Sequence, residues 1–184
     1  HDGWRAPWSD QLLAPEGAPD GAPDGAPDGT FEWQYHQHHA TITSRGSILL
    51  FDNGNHRAHP FDAKRPPAEN YSRAVEFAVD EAAKAVQQVW SYGGPGPEAY
   101  YCPFICGAEE MPNSGNVLAC FGGLMSDDNG AVIDDTRTGL GWVRIAEVTR
   151  EDEPRLVFEL FIDERHKGKG WDVYRAHRLP ALYG

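Results

Sequence analysis

A weak internal repeat is the sequence feature that most constrains how this chain can fold. Residues 45–54 align with residues 114–123 at an offset of 69, with a glycine, a pair of aliphatic residues and a second glycine in matching places. At an offset of 71, residues 73–77 align with residues 144–148, where Arg falls on Arg and Glu falls on Glu. A repeat of this period indicates an architecture built from stacked supersecondary units.

Each copy of the repeat divides into four short segments in which apolar and polar residues roughly alternate, and helical periodicity is nearly absent. Such alternation is typical of β-strands with one buried face. The predicted strands are 36–43, 47–52, 72–79 and 86–92 in the first copy, and 104–111, 116–121, 143–149 and 156–162 in the second. Residues 80–84 are rich in alanine and favour a short turn that can be helical.

Four antiparallel strands per unit predict an all-β fold, a partial β-propeller of about two and a half four-stranded blades. Residues 171–179 would supply the first strand of a further blade, or a closing strand on an earlier one. Such a chain cannot close a ring, and its terminal sheet edges would lie open, which proteins avoid. We therefore expect residues 1–184 to be the C-terminal part of a single larger propeller domain, or to assemble with partner chains. A β-sandwich of eight or nine strands is the alternative.

Residues 17–29 contain the unit Gly-Ala-Pro-Asp three times in tandem. The unit is too short and polar to bury a face, and its prolines and glycines prevent a regular strand ladder. This pattern predicts a low-complexity insertion in a surface loop.

The charge balance limits the partners that the chain can bind. Among 184 residues, 28 are acidic and 16 are basic, so the formal net charge is −12. This excess disfavours nucleic acid, whose phosphates need a basic face. No apolar run approaches the ~20 residues of a membrane-spanning helix. Three cysteines are too few for a disulfide framework and lack zinc-binding spacing, although a bridge between Cys102 and Cys106 stays open.

Histidines crowd into the first predicted strand. His36 and His38 would share one face of that strand, and His39 would point to the other. In the second copy of the repeat the counterparts of His38 and His39 are Gly107 and Ala108, so the strand does not need histidine to fold. Three interpretations compete: a metal site, structural or surface histidines, and nucleophilic or acid–base histidines. The metal site is disfavoured because only two imidazoles share a face.

An arginine, Arg57, follows the second predicted strand of the first repeat copy. Arg57 comes shortly after the Asn53-Gly54 dipeptide, which favours a tight turn, and His56 precedes it directly. A guanidinium beside imidazoles suits an anion with several oxygens, such as sulfate, phosphate or carboxylate.

Several segments, taken together, resemble the bacterial arylsulfate sulfotransferases. They are residues 36–41, 48–57, 70–77, 89–93, 111–118 and 174–180. The resemblance implies a six-bladed propeller with its active site in the central channel, of which this chain is the C-terminal part. It also implies transfer of a sulfuryl group from a phenolic sulfate to an acceptor phenol through a sulfated histidine, without a nucleotide sulfate donor. The expected partners are therefore two small molecules, with no cofactor and no metal. An exported or periplasmic location and a homo-oligomer are further expectations.

By its motifs, the resemblance assigns catalysis to His38 and Arg57, with His39 one residue away. Substrate binding is expected of four neighbouring residues, namely His36, Asn53, His56 and Arg73. In the expected mechanism one neutral imidazole attacks sulfur, a second acts as acid and then as base, and the guanidinium stabilises the sulfuryl oxygens. Activity should then fall below about pH 6.5, the ordinary pKa of histidine.

The second copy departs from the family pattern. Residues 104–123 contain no histidine, although the family draws histidines from more than one blade. If the nucleophile belongs near residues 119–121, this chain lacks it. A non-catalytic propeller that binds a ligand and an aryl sulfate hydrolase are therefore the alternatives. Trp33, Tyr35 and Trp171 are candidates for stacking on a phenol ring.

Overall fold

The computed structural model describes residues 11–16, 31–58, 63–97 and 99–179. The predicted loop insertion at residues 17–29 lies outside these residues. Within them the fold is all-β, with nine strands in two sheets and two short 3₁₀ helices at Pro67–Glu69 and Arg165–Lys167. No helix in this described part is long and apolar enough to cross a membrane.

The first sheet has the order β1-β5-β4-β3-β2. Its strands are β1 (Ala14–Pro15), β2 (Gln37–Ile42), β3 (Ile48–Asp52), β4 (Arg73–Asp80) and β5 (Ala85–Gly93). Strands β2 to β5 form an antiparallel meander, and the two-residue β1 pairs with β5 in parallel.

The second sheet is an antiparallel meander of four strands in sequence order. Its strands are β6 (Gly107–Glu110), β7 (Val117–Ser126), β8 (Leu140–Val148) and β9 (Leu156–Ile162). All eight strands predicted from the repeat are therefore confirmed, as is the turn between β4 and β5. Strand β1 was not predicted, because two residues are too few to show an alternation.

The tail at residues 171–179 is not a strand, which corrects the expectation for this segment. Among the described residues, its backbone bonds to the second sheet are those of the Trp171 amide to the carbonyl of Gly141 and of the Val173 amide to that of Gly122. Gly122 lies at a bulge in β7, and a Cβ there would come within 1.8 Å of the Val173 carbonyl oxygen. Glycine at the bulge therefore lets the tail approach the backbone of the sheet.

The main core joins the two sheets. Its fully or almost fully buried members are Leu49, Phe51, Ala74, Trp90, Cys102, Cys106, Ala108, Val117, Ala119, Phe121, Leu124, Ala146 and Val148. At its centre the rings of Phe51 and Phe121 meet edge to face with centroids 5.1 Å apart. Phe51 and Phe121 are not equivalent positions of the repeat, because Phe121 aligns with Asp52.

Truncating Phe121 to alanine is expected to cost about 3–5 kcal/mol of unfolding free energy, since the ring is completely buried between the sheets. Urea denaturation of the chain measures the loss. Phe158→Ala is the matched control, because Phe158 is half exposed on strand β9 and its truncation should cost less than about 1 kcal/mol. Equal losses in the two variants would contradict this placement of the core.

The repeat is confirmed by buried polar pairs as well as by strands. In the first sheet the hydroxyl of Ser47 donates to Glu76, and in the second the amide of Asn116 donates to Glu147 at 2.8 Å. These residues occupy equivalent places in the two copies. The two meanders therefore have in common a glutamate that accepts a hydrogen bond at the same place, as well as the same order of strands.

Strand β9 is exposed on both of its faces. It is the edge of the second sheet, and Leu156, Val157, Phe158, Leu160 and Phe161 each retain between 43% and 53% of their surface. Contiguous apolar surface of this kind is typical of a contact with another element. The open edge expected from the sequence is thus present.

The three cysteines are buried free thiols, including Cys102 and Cys106, for which a bridge had been left open. Burial raises the pKa of Cys120 to about 12 and that of Cys102 well above its ordinary value. They belong to the packing of the core.

Candidate active site

An asparagine at the end of β3 holds His38 in one orientation. Asn53 is completely buried, and its amide nitrogen donates to the carbonyl oxygens of Cys102 at 2.9 Å and Ile105 at 3.0 Å. Its amide oxygen lies 2.6 Å from Nδ1 of His38. Because both amide hydrogens are used, the oxygen is left as an acceptor, so His38 must carry its proton on Nδ1. The lone pair of the neutral imidazole is therefore on Nε2.

The backbone around this histidine is strained. Non-glycine residues with positive φ gather here, namely His36, His39, His56, Arg57, Ile105 and Cys106, with φ between 36° and 83°. The pairing of β2 with β3 also shifts register between His38 and Thr41. Strained residues and bulges of this kind cluster at functional sites, where they aim particular side chains.

His39 packs against the first strand of the second sheet. A Cβ at Gly107 would lie 2.8 Å from Nδ1 of His39, so glycine there makes room for the imidazole ring. That nitrogen is buried and has no hydrogen-bond partner among the described residues. Desolvation lowers the pKa of His39, Arg175 and His177 lower it further, and Glu109 opposes them. The lowered pKa favours the neutral form of His39.

The tail brings further side chains to the two histidines. The ring of Tyr174 stands edge-on to His38 with centroids 6.5 Å apart, and His177 stands edge-on to His39 at 6.1 Å. Nδ1 of His177 lies 2.6 Å from a carboxylate oxygen of Glu109. An imidazole paired with a carboxylate thus stands beside His39.

Arg57 lies in a buried ion-pair network that includes Asp52, the last residue of β3. One terminal nitrogen pairs with Glu32 at 2.6 Å, and the other pairs with Asp52 at 3.1 Å and donates to the Tyr71 carbonyl at 3.0 Å. The guanidinium carbon also lies 3.4 Å from the centroid of the Tyr71 ring. Within the described residues, no hydrogen bond joins Arg57 to a histidine.

Arg73 shares this network. Its Nε pairs with Asp52 at 3.0 Å, and one terminal nitrogen donates to the backbone carbonyl of Glu32 at 2.8 Å. Adjacent residues of an extended segment point to opposite sides, so Asp52 gathers the two arginines while Asn53 faces His38. The structure therefore brings Arg57 and Arg73 together and does not place either guanidinium on His38.

A second asparagine holds His36. Nδ2 of Asn55 donates to the carbonyl of Pro103 at 2.6 Å and lies 3.2 Å from Nδ1 of His36. The Asn55 oxygen accepts from the Tyr101 hydroxyl at 3.0 Å. Both asparagines after β3 thus tie a histidine to the segment that precedes β6.

His56 lies at the edge of this group. Its Nδ1 is 3.8 Å from a carboxylate oxygen of Asp134, and both side chains are partly exposed. Desolvation lowers the pKa of His56, and Lys64 and His36 lower it further, while Asp134 opposes them. Among the described residues, no group of three His, Cys, Asp or Glu could hold a metal ion.

Four residues near the histidines were not predicted from the sequence: Asn55, Glu109, Tyr174 and His177. The tail residues belong to a segment that carried the family resemblance, but its position in the fold is not visible from the sequence. No sequence pattern pointed to Glu109.

Stability should depend on pH through His39. Since the folded-state pKa is lowered, the unfolded chain binds more protons between that value and about 6.5, so unfolding free energy falls as pH drops through this window. Urea denaturation at pH 7.5 and 5.5 measures this loss, which should be smaller in His39→Gln. His166→Gln, on an exposed turn, is the control and should keep the wild-type dependence. An unchanged dependence in His39→Gln would contradict the burial of this imidazole.

The site belongs to an all-β chain whose imidazoles come from the first strand of the first meander, the segment after β3 and the tail. Comparison with known proteins gives its family. The sequence model described as "Arylsulfotransferase (ASST)" matches residues 1–175, so the chain belongs to the arylsulfotransferase family. The resemblance noted from its motifs is thereby confirmed.

Two relatives carry the name arylsulfate sulfotransferase AssT. The protein from Escherichia coli O6:H1 (strain CFT073) is 36% identical over 126 residues, which cover 66% of this chain and 21% of that protein. The protein from Lelliottia amnigena is 31% identical over 94 residues, which cover 51% of this chain and 15% of that protein. The matched region thus spans about a fifth or less of the length of these relatives.

Proposed function

We propose that this chain carries part of the active site of an enzyme that transfers a sulfuryl group from a phenolic sulfate ester to an acceptor phenol. Family membership supports the reaction class. One observation carries the assignment within the site: Asn53 fixes the proton of His38 on Nδ1 and leaves the Nε2 lone pair free. His38 is partly exposed, so a substrate can reach it.

The proposed first step is attack of Nε2 of His38 on the sulfur of the donor. An N–S bond forms while the bond between sulfur and the aryl oxygen breaks, and the phenolate leaves with the electron pair. The imidazole becomes positively charged, and its Nδ1 proton stays hydrogen-bonded to the Asn53 oxygen, which stabilises that charge. In the second step the acceptor phenolate attacks sulfur, and the N–S electron pair returns to the imidazole.

A second imidazole is proposed to move the proton. His39 is kept neutral by its surroundings, so it can accept the proton of the acceptor phenol as base. Once protonated, it can deliver a proton to the leaving phenolate of the next donor. His36 and His56, at the rim of the same turn, remain the proposed contacts to substrate.

The two arginines receive a different role from the one expected from their motif. Glu32 and Asp52 occupy the terminal nitrogens of Arg57, and Asp52 also takes Nε of Arg73. These contacts support a role in positioning: the network fixes the segment that carries Asn53 and Asn55. Stabilisation of the sulfuryl oxygens then requires donors from elsewhere in the complete site.

We also propose that the two meanders are blades of a β-propeller, with residues 1–184 in its C-terminal part. Two four-stranded antiparallel meanders in sequence order, related by an internal repeat, support this arrangement. On β9, the exposed Phe158 and Leu160 share the face that suits packing against a further blade.

The test is an assay of the full-length protein with a chromogenic aryl sulfate, with and without an acceptor phenol. We expect repeated turnover only when the acceptor is present, together with sulfated acceptor, and with donor alone a single release of no more than one phenol per protein molecule. Mass spectrometry of protein quenched after donor alone should find one sulfuryl group on the peptide that contains His38. Continued release without acceptor, beyond one phenol per protein molecule, would instead indicate a hydrolase. Absence of turnover by a folded protein would indicate a binding module and overturn the proposal.

A further inference from the structure

One arginine that is present in both copies of the repeat has different partners in each copy. Arg73 and Arg144 occupy equivalent places of the repeat, each in the third strand of its meander. Arg73 lies on the carboxylate of Asp52, whereas the residue equivalent to Asp52 in the second copy is Phe121. Arg144 therefore lacks the buried carboxylate that its counterpart has.

Aromatic rings surround Arg144 instead. Its guanidinium carbon lies 4.7 Å from the ring centroid of Tyr100, 5.6 Å from that of Phe121 and 5.7 Å from that of Tyr92. One terminal nitrogen donates to the Tyr92 hydroxyl at 2.8 Å, and Nε pairs with Glu159 at 2.7 Å. The other terminal nitrogen, Nη1, makes no hydrogen bond to another described residue.

A cleft of about 700 Å³ opens beside this arginine. Its walls include Tyr92, Pro97, Tyr100, Phe121, Arg144 and Phe161. A cleft of this size suits a small molecule, and aromatic walls with a few charged groups, here Arg144 and its partner Glu159, are typical of ligand sites. Only 9% of the Arg144 side chain is exposed, and this burial strengthens its attraction for an anion that enters the cleft.

We propose that this cleft binds a small aromatic anion, a single ring that bears a carboxylate or a sulfate ester. The anionic oxygens would accept hydrogen bonds from Arg144, for which a planar group with two oxygens is the best match. The ring would lie among the aromatic walls, where Phe161 is half exposed. The site is separate from the His38 site and does not depend on the proposed transfer reaction.

Glu159 provides a sharp test, because its carboxylate competes with the ligand for the same guanidinium. In the first copy the equivalent residue is Gln88, which accepts from Arg73 at 3.0 Å. Glutamine is therefore compatible with the fold at this place. Glu159→Gln should tighten binding by at least about threefold, since it removes a like charge beside the anion.

The experiment is an NMR titration of the ¹⁵N-labelled chain with phenyl sulfate and with benzoate. Inorganic sulfate and cyclohexanecarboxylate are added separately to test whether both the ring and the charge are needed. The reporter is the indole N–H of Trp142, whose ring stacks on Phe161 with centroids 6.2 Å apart. We expect saturable shifts of this signal with the two aromatic anions, tighter in Glu159→Gln and at least about threefold weaker in Phe161→Ala.

Several results would overturn the proposal. They are an absence of saturable shifts at Trp142, shifts of equal size with the non-aromatic anions, or affinity that stays equal or falls in Glu159→Gln. His38→Ala should leave the titration unchanged, which separates this site from the proposed active site. If the transfer assay fails and this titration succeeds, the cleft remains a ligand site.

Discussion

Replacing His38 with alanine is expected to lower kcat at least about 10³-fold, a loss of about 4 kcal/mol of transition-state stabilisation. The change removes the imidazole whose Nε2 is proposed to form the N–S bond. It should also abolish the sulfuryl group found on the protein after incubation with donor alone. Steady-state kinetics of the full-length protein and mass spectrometry of the quenched protein measure the two effects.

His166→Ala is the matched control for this prediction. His166 lies in the exposed turn after β9, so its loss should leave kcat within about twofold of the wild type. His39→Ala should be slowed by more than about tenfold, because it removes the proposed base but keeps the nucleophile. Sulfation of a His38→Ala variant at another residue would show that the nucleophile lies elsewhere.

Replacing Asn53 with leucine is expected to lower kcat about 100-fold, because a residue that orients a functional histidine contributes to activity on that scale. Leucine cannot accept the Nδ1 proton, so His38 is free to adopt either tautomer. ¹⁵N NMR of the imidazole reads this directly: Nε2 is unprotonated in the wild type, and both nitrogens carry part of the proton in the variant.

Asn53→Leu should also destabilise the fold, because the carbonyls of Cys102 and Ile105 lose their hydrogen-bond donor. Each unpaired carbonyl should lower the unfolding free energy by about 1–3 kcal/mol. Asn116→Leu is the control for this effect, because Asn116 donates to buried Glu147 in the other sheet. It should lower stability without altering the tautomer of His38. If both variants lose activity equally and both keep the wild-type tautomer, the orienting role of Asn53 is wrong.

Most of the secondary structure could be predicted because two signals coincide in this sequence. Alternation of apolar and polar residues marks each strand, and the repeat gives an independent second copy of the pattern. The histidines of the first strand were also identifiable, since the second copy shows that the strand folds without them. The existence and order of the strands therefore followed from local information, whereas their ends did not, since β7 continues to Ser126, beyond its predicted end at residue 121.

The partners of the charged residues could not be predicted in the same way. From the sequence, Arg57 was expected to bind an anion because His56 precedes it directly, but Glu32, 25 residues earlier, accepts a hydrogen bond from one of its nitrogens. The tail was expected to be a strand, yet His177 pairs with Glu109, 68 residues before it. Ion pairs of this range depend on how the sheets pack, and a sequence pattern does not report on packing.

The exposed edge strand β9 also bears on the tendency of the polypeptide to self-associate. An apolar edge with unpaired backbone groups is a template for pairing with another chain. Copies of the 184-residue polypeptide studied alone therefore have a ready route to self-association as concentration rises. A charged substitution at Val157 or Phe158, both half exposed, should keep the polypeptide in the same oligomeric state at low and high concentration.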